Sequence, residues 1–194
     1  MKRFIQVSLS LLIILSLSSR FGLMQMGIQP AQASGSVIVD GPVSSGAFTG
    51  NPTLTHTTGT GENRLLLVGV SWGRTISSGS YRGISTITFN EVDLKPVIEY
   101  TQDPINCVAI YRYPGQANPG ESGNINITFS SVSINVVVGA INFAGVNWSD
   151  PFGAMQTATS SDASNIALDI ATESGYLVFD TISTLYTASL PITP

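Results

Sequence analysis

Charge is what this chain has least of. Only 10% of its residues are Asp, Glu, Lys or Arg, where about a quarter is usual. The eight basic residues are the scarcer kind, and Lys2, Arg3 and Arg20 fall in the first 33 positions. Beyond residue 33, five basic residues face twelve acids, a formal charge of −7. That balance excludes a nucleic-acid footprint and a polybasic membrane patch, both of which need clustered Lys and Arg. Disorder pairs high charge with low hydrophobicity, and at 43% hydrophobic the chain has the opposite balance. It should fold.

Cysteine and histidine are each present once. A single Cys107 excludes an intrachain disulfide, and its apolar surroundings (Ile105, Val108, Ala109, Ile110) mark it as a small buried hydrophobe. A single His56 excludes a multi-histidine zinc site. It stands among hydroxyl residues in Thr53-Leu54-Thr55-His56-Thr57-Thr58 and is expected as an exposed strand histidine. The acids are scattered, with no D-x-D-x-D-G calcium loop. Glu91 and Asp93 are the closest pair and read as solvated turn acids rather than a hydrolytic pair. A calcium site from loop carbonyls with Asp150 or Asp162 is not indicated, and neither metal nor cofactor is expected.

Residues 1–33 carry a distinct signal. A basic start is followed by an almost wholly apolar stretch over residues 4–17, then by Ala31-Gln32-Ala33. This is the order of a secretory signal peptide, with Ser34 as first mature residue. The rival, an uncleaved anchor, is opposed by the short apolar stretch and by Arg20. The expected location is therefore extracellular or cell-surface, with no membrane span after cleavage. Residues 34–194 form one candidate domain, since no linker divides them.

That domain reads as strands broken by Gly, Pro, Ser and Asn clusters. Residues 124–130 alternate apolar and polar, and residues 85–89 repeat the pattern. Residues 65–70, 136–143 and 176–182 are apolar on both faces, as central strands are. Weaker candidates span 36–39, 53–58, 94–100, 107–113 and 166–170. Asn118-Pro119-Gly120 is a turn former between two strands that would pair as a hairpin. About ten strands and no convincing helix predict an all-β, antiparallel, jelly-roll-like β-sandwich. A central strand at 176–182 needs neighbours on both sides. One expectation is thus that the sandwich lacks its last one or two strands within this chain, through truncation or supply by another molecule.

Gly69-Val70-Ser71-Trp72-Gly73 fits the G-x-S-x-G nucleophile elbow, but a loop-like stretch follows it and His56 lies upstream. Ser71 is therefore read as a strand-end serine. The aromatics point elsewhere. Trp72 ends an apolar strand beside a loop holding Tyr81, and Trp148 lies in a turn-like segment. Sugar rings stack on such side chains, so Trp72, Tyr81 and Trp148 are the candidate ligand-contacting residues, the alternative being that they cap the core. Asn126-Ile127-Thr128 and Asn147-Trp148-Ser149 fit the N-glycosylation pattern, the first in a poor mid-strand context.

Asn63-Arg64-Leu65-Leu66-Leu67-Val68-Gly69-Val70-Ser71-Trp72, Ile87-Thr88-Phe89-Asn90, Ala109-Ile110-Tyr111-Arg112, Ile125-Asn126-Ile127-Thr128-Phe129 and Gly139-Ala140-Ile141-Asn142-Phe143-Ala144-Gly145-Val146 follow one order. This order resembles a poorly characterised family of extracellular bacterial β-sandwich domains found in secreted and surface-anchored proteins. The resemblance covers most of residues 60–183, implies one or two strands after Thr184, and carries no catalytic residues. The functional expectation is a non-catalytic module that binds a polysaccharide or a surface protein. The alternatives are a structural subunit that self-associates by strand donation through an open sheet edge, and a secreted hydrolase.

Overall fold

The structure, a computed structural model, describes residues 36–73, 83–101, 106–130, 135–159, 167–171 and 175–183. These residues form ten strands and no helix: β1 (Ile38–Val39), β2 (Ser44–Thr49), β3 (Thr53–Thr57), β4 (Leu65–Gly73), β5 (Ile84–Phe89), β6 (Val92–Asp93), β7 (Lys95–Tyr100), β8 (Asn106–Arg112), β9 (Ser122–Phe129) and β10 (Asn135–Ala144). All pairing is antiparallel. The larger sheet runs β1-β10-β4-β8-β7, with β2 also beside β10, and the smaller runs β3-β9-β5-β6. The expected all-β antiparallel sandwich is the fold.

Alternation explains the core. Leu66, Val68, Val70 and Trp72 of β4 and Val136, Val138 and Ala140 of β10 face inward from the larger sheet. Ile87, Phe89, Ile125, Ile127 and Phe129 of β5 and β9 meet them from the smaller one. The segments that resemble each other in sequence are neighbours in space. Ile87 pairs with Ile127, and Gly69 with Gly139, so like patterns fill like positions in adjoining strands.

The larger sheet is also covered on part of its outer side. Leu65, Leu67, Phe143 and Val146 are buried there, with Val37, Ile141, Trp148, Phe152 and Phe179 packed against them. This explains why β4 and β10 are apolar on both faces. It also corrects the strand expected over residues 176–182. That stretch is not a strand: Phe179 sets its ring edge-on to Phe143, 6.4 Å between centroids. A Cβ on Gly69 would lie 3.3 Å from Phe179 Cζ, so the glycine admits the covering ring. Of this run, Phe179 packs on the sheet, while Tyr176, Leu177, Val178 and Ile182 are exposed.

Other expectations need correction. Residues 167–170 form no strand, and β1 is shorter than expected. Strands β8 and β9 are not a hairpin, because β8 lies between β4 and β7 while β9 lies between β3 and β5. Asn118-Pro119-Gly120 therefore belongs to a connection between sheets. Strand β2, unforeseen from the sequence, pairs with β10 from Ser44↔Ala140 to Thr49↔Asn135. The chain then crosses to the smaller sheet through Asn51, whose side-chain oxygen accepts from Phe129 N at 2.9 Å, and Pro52, whose carbonyl accepts from Ile127 N at 3.0 Å. That crossing brings β3 and its histidine against the end of β10.

Candidate functional site

The rings singled out in the sequence are not brought together on a surface. Trp72 is 1% exposed, in the core against Phe129 (5.7 Å between centroids), so it offers no face for a sugar. The reason is parity: Trp72 shares the inward side of β4 with Leu66, Val68 and Val70. Trp148 is half-buried against the outer cluster of the larger sheet, and its Nε1 is buried without a partner among the described residues. Tyr81 lies outside the described residues. Ser71 lies within β4, opposite Val137 and Val108, so no sharp turn lifts it out as an elbow requires.

His56 corrects the expectation of an exposed histidine. It is 1% exposed, with Nε2 2.8 Å from Asn142 Oδ1 and Nδ1 3.0 Å from Ser44 Oγ. An amide oxygen only accepts, so Nε2 carries the proton and Nδ1 accepts from the Ser44 hydroxyl. Asn142 is itself fully buried, its Nδ2 without a partner among the described residues. Hydroxyl, imidazole and amide stand in the order of an activated nucleophile. Here, however, an imidazolium would form in the core edge-on to Phe89, oriented by a neutral amide. The three side chains instead tie β2 and β10 of one sheet to β3 of the other.

Desolvation by burial holds His56 below its ordinary pKa, and the Asn142 hydrogen bond offsets part of this. The sign follows. Below about pH 6.5 the unfolded chain takes up a proton that the folded chain refuses, so stability falls as pH falls. The expected loss is up to about 1.4 kcal/mol per pH unit, read as the denaturation midpoint between pH 7.5 and 5. The His56→Gln variant, which can still donate to Asn142, should show a flatter profile over that window.

The outer face of the smaller sheet presents another kind of surface. Strands β3, β5 and β9 contain no Asp, Glu, Lys or Arg. Their outward positions are Thr53, Thr55 and Thr57; Ser122, Asn124, Asn126 and Thr128; and Thr86 and Thr88. The rows are tied side chain to side chain. Thr53 Oγ1 donates to Asn126 Oδ1 (2.9 Å), Thr55 Oγ1 to Asn124 Oδ1 (3.0 Å) and Thr57 Oγ1 to Ser122 Oγ (3.1 Å). Each threonine thus fixes an acceptor across the strand pair, leaving the Nδ2 groups of Asn124 and Asn126 without a protein partner among the described residues. Acids stand at the rim: Asp93, opposite Thr88 on the edge strand β6, Glu91 in the turn after β5, and Glu121 just before β9.

No family model, no curated protein and no solved structure matches the chain. The residues themselves must indicate what the site can do. Among those described, no three His, Cys, Asp or Glu side chains gather to hold a metal ion. No described helix is long and apolar enough to cross a membrane. A cleft between the sheets, lined by Thr86, Asp93, Lys95 and Tyr111, holds one acid and one base but no carboxylate pair. The hydroxyl and amide face of β3 and β9 is an ordered surface whose strands carry no charged residue.

Proposed function

We propose that this protein is a secreted, non-catalytic β-sandwich module that binds a neutral glycan at the cell surface or in the extracellular matrix. The observation that carries this reading is the tied Thr–Asn and Thr–Ser face of β3 and β9. Donors and acceptors without charge suit a partner rich in hydroxyls, and their fixed geometry reduces the ordering cost of binding. Secretion rests on the signal-like order of residues 1–33. The non-catalytic part is supported by the burial of the single histidine and by the mid-strand place of Ser71.

Strand donation has less support at two of the sheet edges, β6 and β7. Edge strand β6 is two residues long, and edge strand β7 carries Pro96 and an irregular register between Pro96 and Ile98. Both features blunt an edge against added strands.

The test is depletion of the full chain from solution by insoluble neutral polysaccharides, at 0.1 M and 1 M NaCl. A contact without charge keeps its affinity within about twofold across that range, because salt screens only ionic attraction. Binding that disappears at 1 M NaCl would show that another, charged surface is used.

A further inference from the structure

We infer that β2 is an acid-released strand: in mild acid it lifts from the edge of β10 while the rest of the sandwich stays folded. The trigger is His56, 1% exposed in the core and bonded to Ser44 of β2. The groups around it offer an imidazolium no compensating charge. Ser44 faces it from β2, Asn142 from β10 and Phe89 from β5, while its partner on β9 is Gly123. The acids of the adjoining connections bond elsewhere: Asp40 accepts from Thr60 N and Gly61 N, and Glu121 from Asn90 Nδ2. A proton on His56 therefore favours any opening that lets water reach the ring.

The opening that costs least is at β2. Strand β10 is paired on both sides, by β4 and by β2. Strands β2 and β3 each pair with one strand among the described residues, but they are held differently. Strand β3 buries Leu54 as well as His56, and Thr53, Thr55 and Thr57 bond it to β9 side chain to side chain. Strand β2 has no fully buried residue: Ser44, Gly46 and Phe48 face inward and are only partly covered. Gly46 brings no side chain, so the inward holds are the Phe48 ring and the Ser44–His56 bond. The Thr49 Oγ1–Asn135 Oδ1 contact to β10 is long, at 3.5 Å. Gly41 and Gly50, both at positive φ, flank the segment and supply the backbone freedom of a hinge. Such weakly held edges open at a lower free energy than the whole fold.

The experiment is amide hydrogen exchange of the full chain at pH 7.5 and pH 5, read by mass spectrometry with the intrinsic rates divided out. Protection of peptides covering β2 should fall roughly five- to thirtyfold in acid, the upper figure being the gain for a histidine that titrates normally once open. Peptides from β4 and β9 should keep their protection. In His56→Gln the β2 peptides should be protected equally at both pH values. If that variant fails to fold, Ser44→Ala gives a second reading: it keeps the imidazole, so β2 alone should lose protection already at pH 7.5. An acid loss spread evenly over all strands would overturn the inference, because the fold would then open as a whole. So would an acid response that persists in His56→Gln, or β2 protection unchanged in Ser44→Ala.

Discussion

Replacing His56 with alanine lowers the stability of the fold by about 3 kcal/mol. Two costs add. A cavity opens in a core where His56 packs edge-on to Phe89, and Asn142 Oδ1 loses its donor while Nδ2 already lacks a partner among the described residues. Ser44 loses its acceptor at the same time. Replacing both inner partners tests the polar share of that cost. With His56→Leu and Asn142→Leu together, no buried amide is orphaned, so the double variant is expected to be more stable than His56→Ala. Urea unfolding monitored by fluorescence reads both. A loss below about 1 kcal/mol for His56→Ala would mean that the network is wet and not a clamp between sheets.

Trp72→Ala should cost more, about 4 kcal/mol, the range for deleting a large core aromatic. Its ring joins β4 to β9 through Phe129, and its strand neighbours are Val136 and Cys107. Domains are stable by only about 5–15 kcal/mol, so this variant sits near the margin at room temperature. Below its melting point it should still bind polysaccharide as the parent does, because Trp72 reaches no surface. A folded Trp72→Ala protein that loses binding would return the ring to the role that the sequence suggested for it.

Most strands were legible because their residues choose them. Val, Ile, Leu and aromatic runs mark β4, β8 and β10, and strict alternation marks β5 and β9. Strand β2 was hidden, since Ser44-Ser45-Gly46-Ala47-Phe48-Thr49 has little strand preference and is held by its partner β10. Residues 176–182 misled for the converse reason: an apolar run can set one ring, Phe179, on a sheet without joining it.

The histidine carried a signal that its hydroxyl neighbours obscured. His56 shares its parity with Leu54, which faces inward, and Asn142 shares its parity with Val136, Val138 and Ala140. Two polar residues at inward positions pointed to a buried pair, yet they lie 86 residues apart, and only the crossing from β2 to β3 brings them together. The binding face was half legible. Alternation in Asn124-Ile125-Asn126-Ile127-Thr128 gave a polar side, but the Thr–Asn rows depend on the register between β3 and β9, which no local pattern encodes.

The most direct test places one lysine on each outer face and measures depletion by insoluble polysaccharide. Thr55→Lys puts a charge among the rows of the smaller sheet, and Ala47→Lys puts one on the exposed β2 of the larger. The predicted result is at least a tenfold loss of affinity for Thr55→Lys and none for Ala47→Lys. Retention by Thr55→Lys, with loss in Ala47→Lys, would contradict the assignment and move the binding surface to the larger sheet.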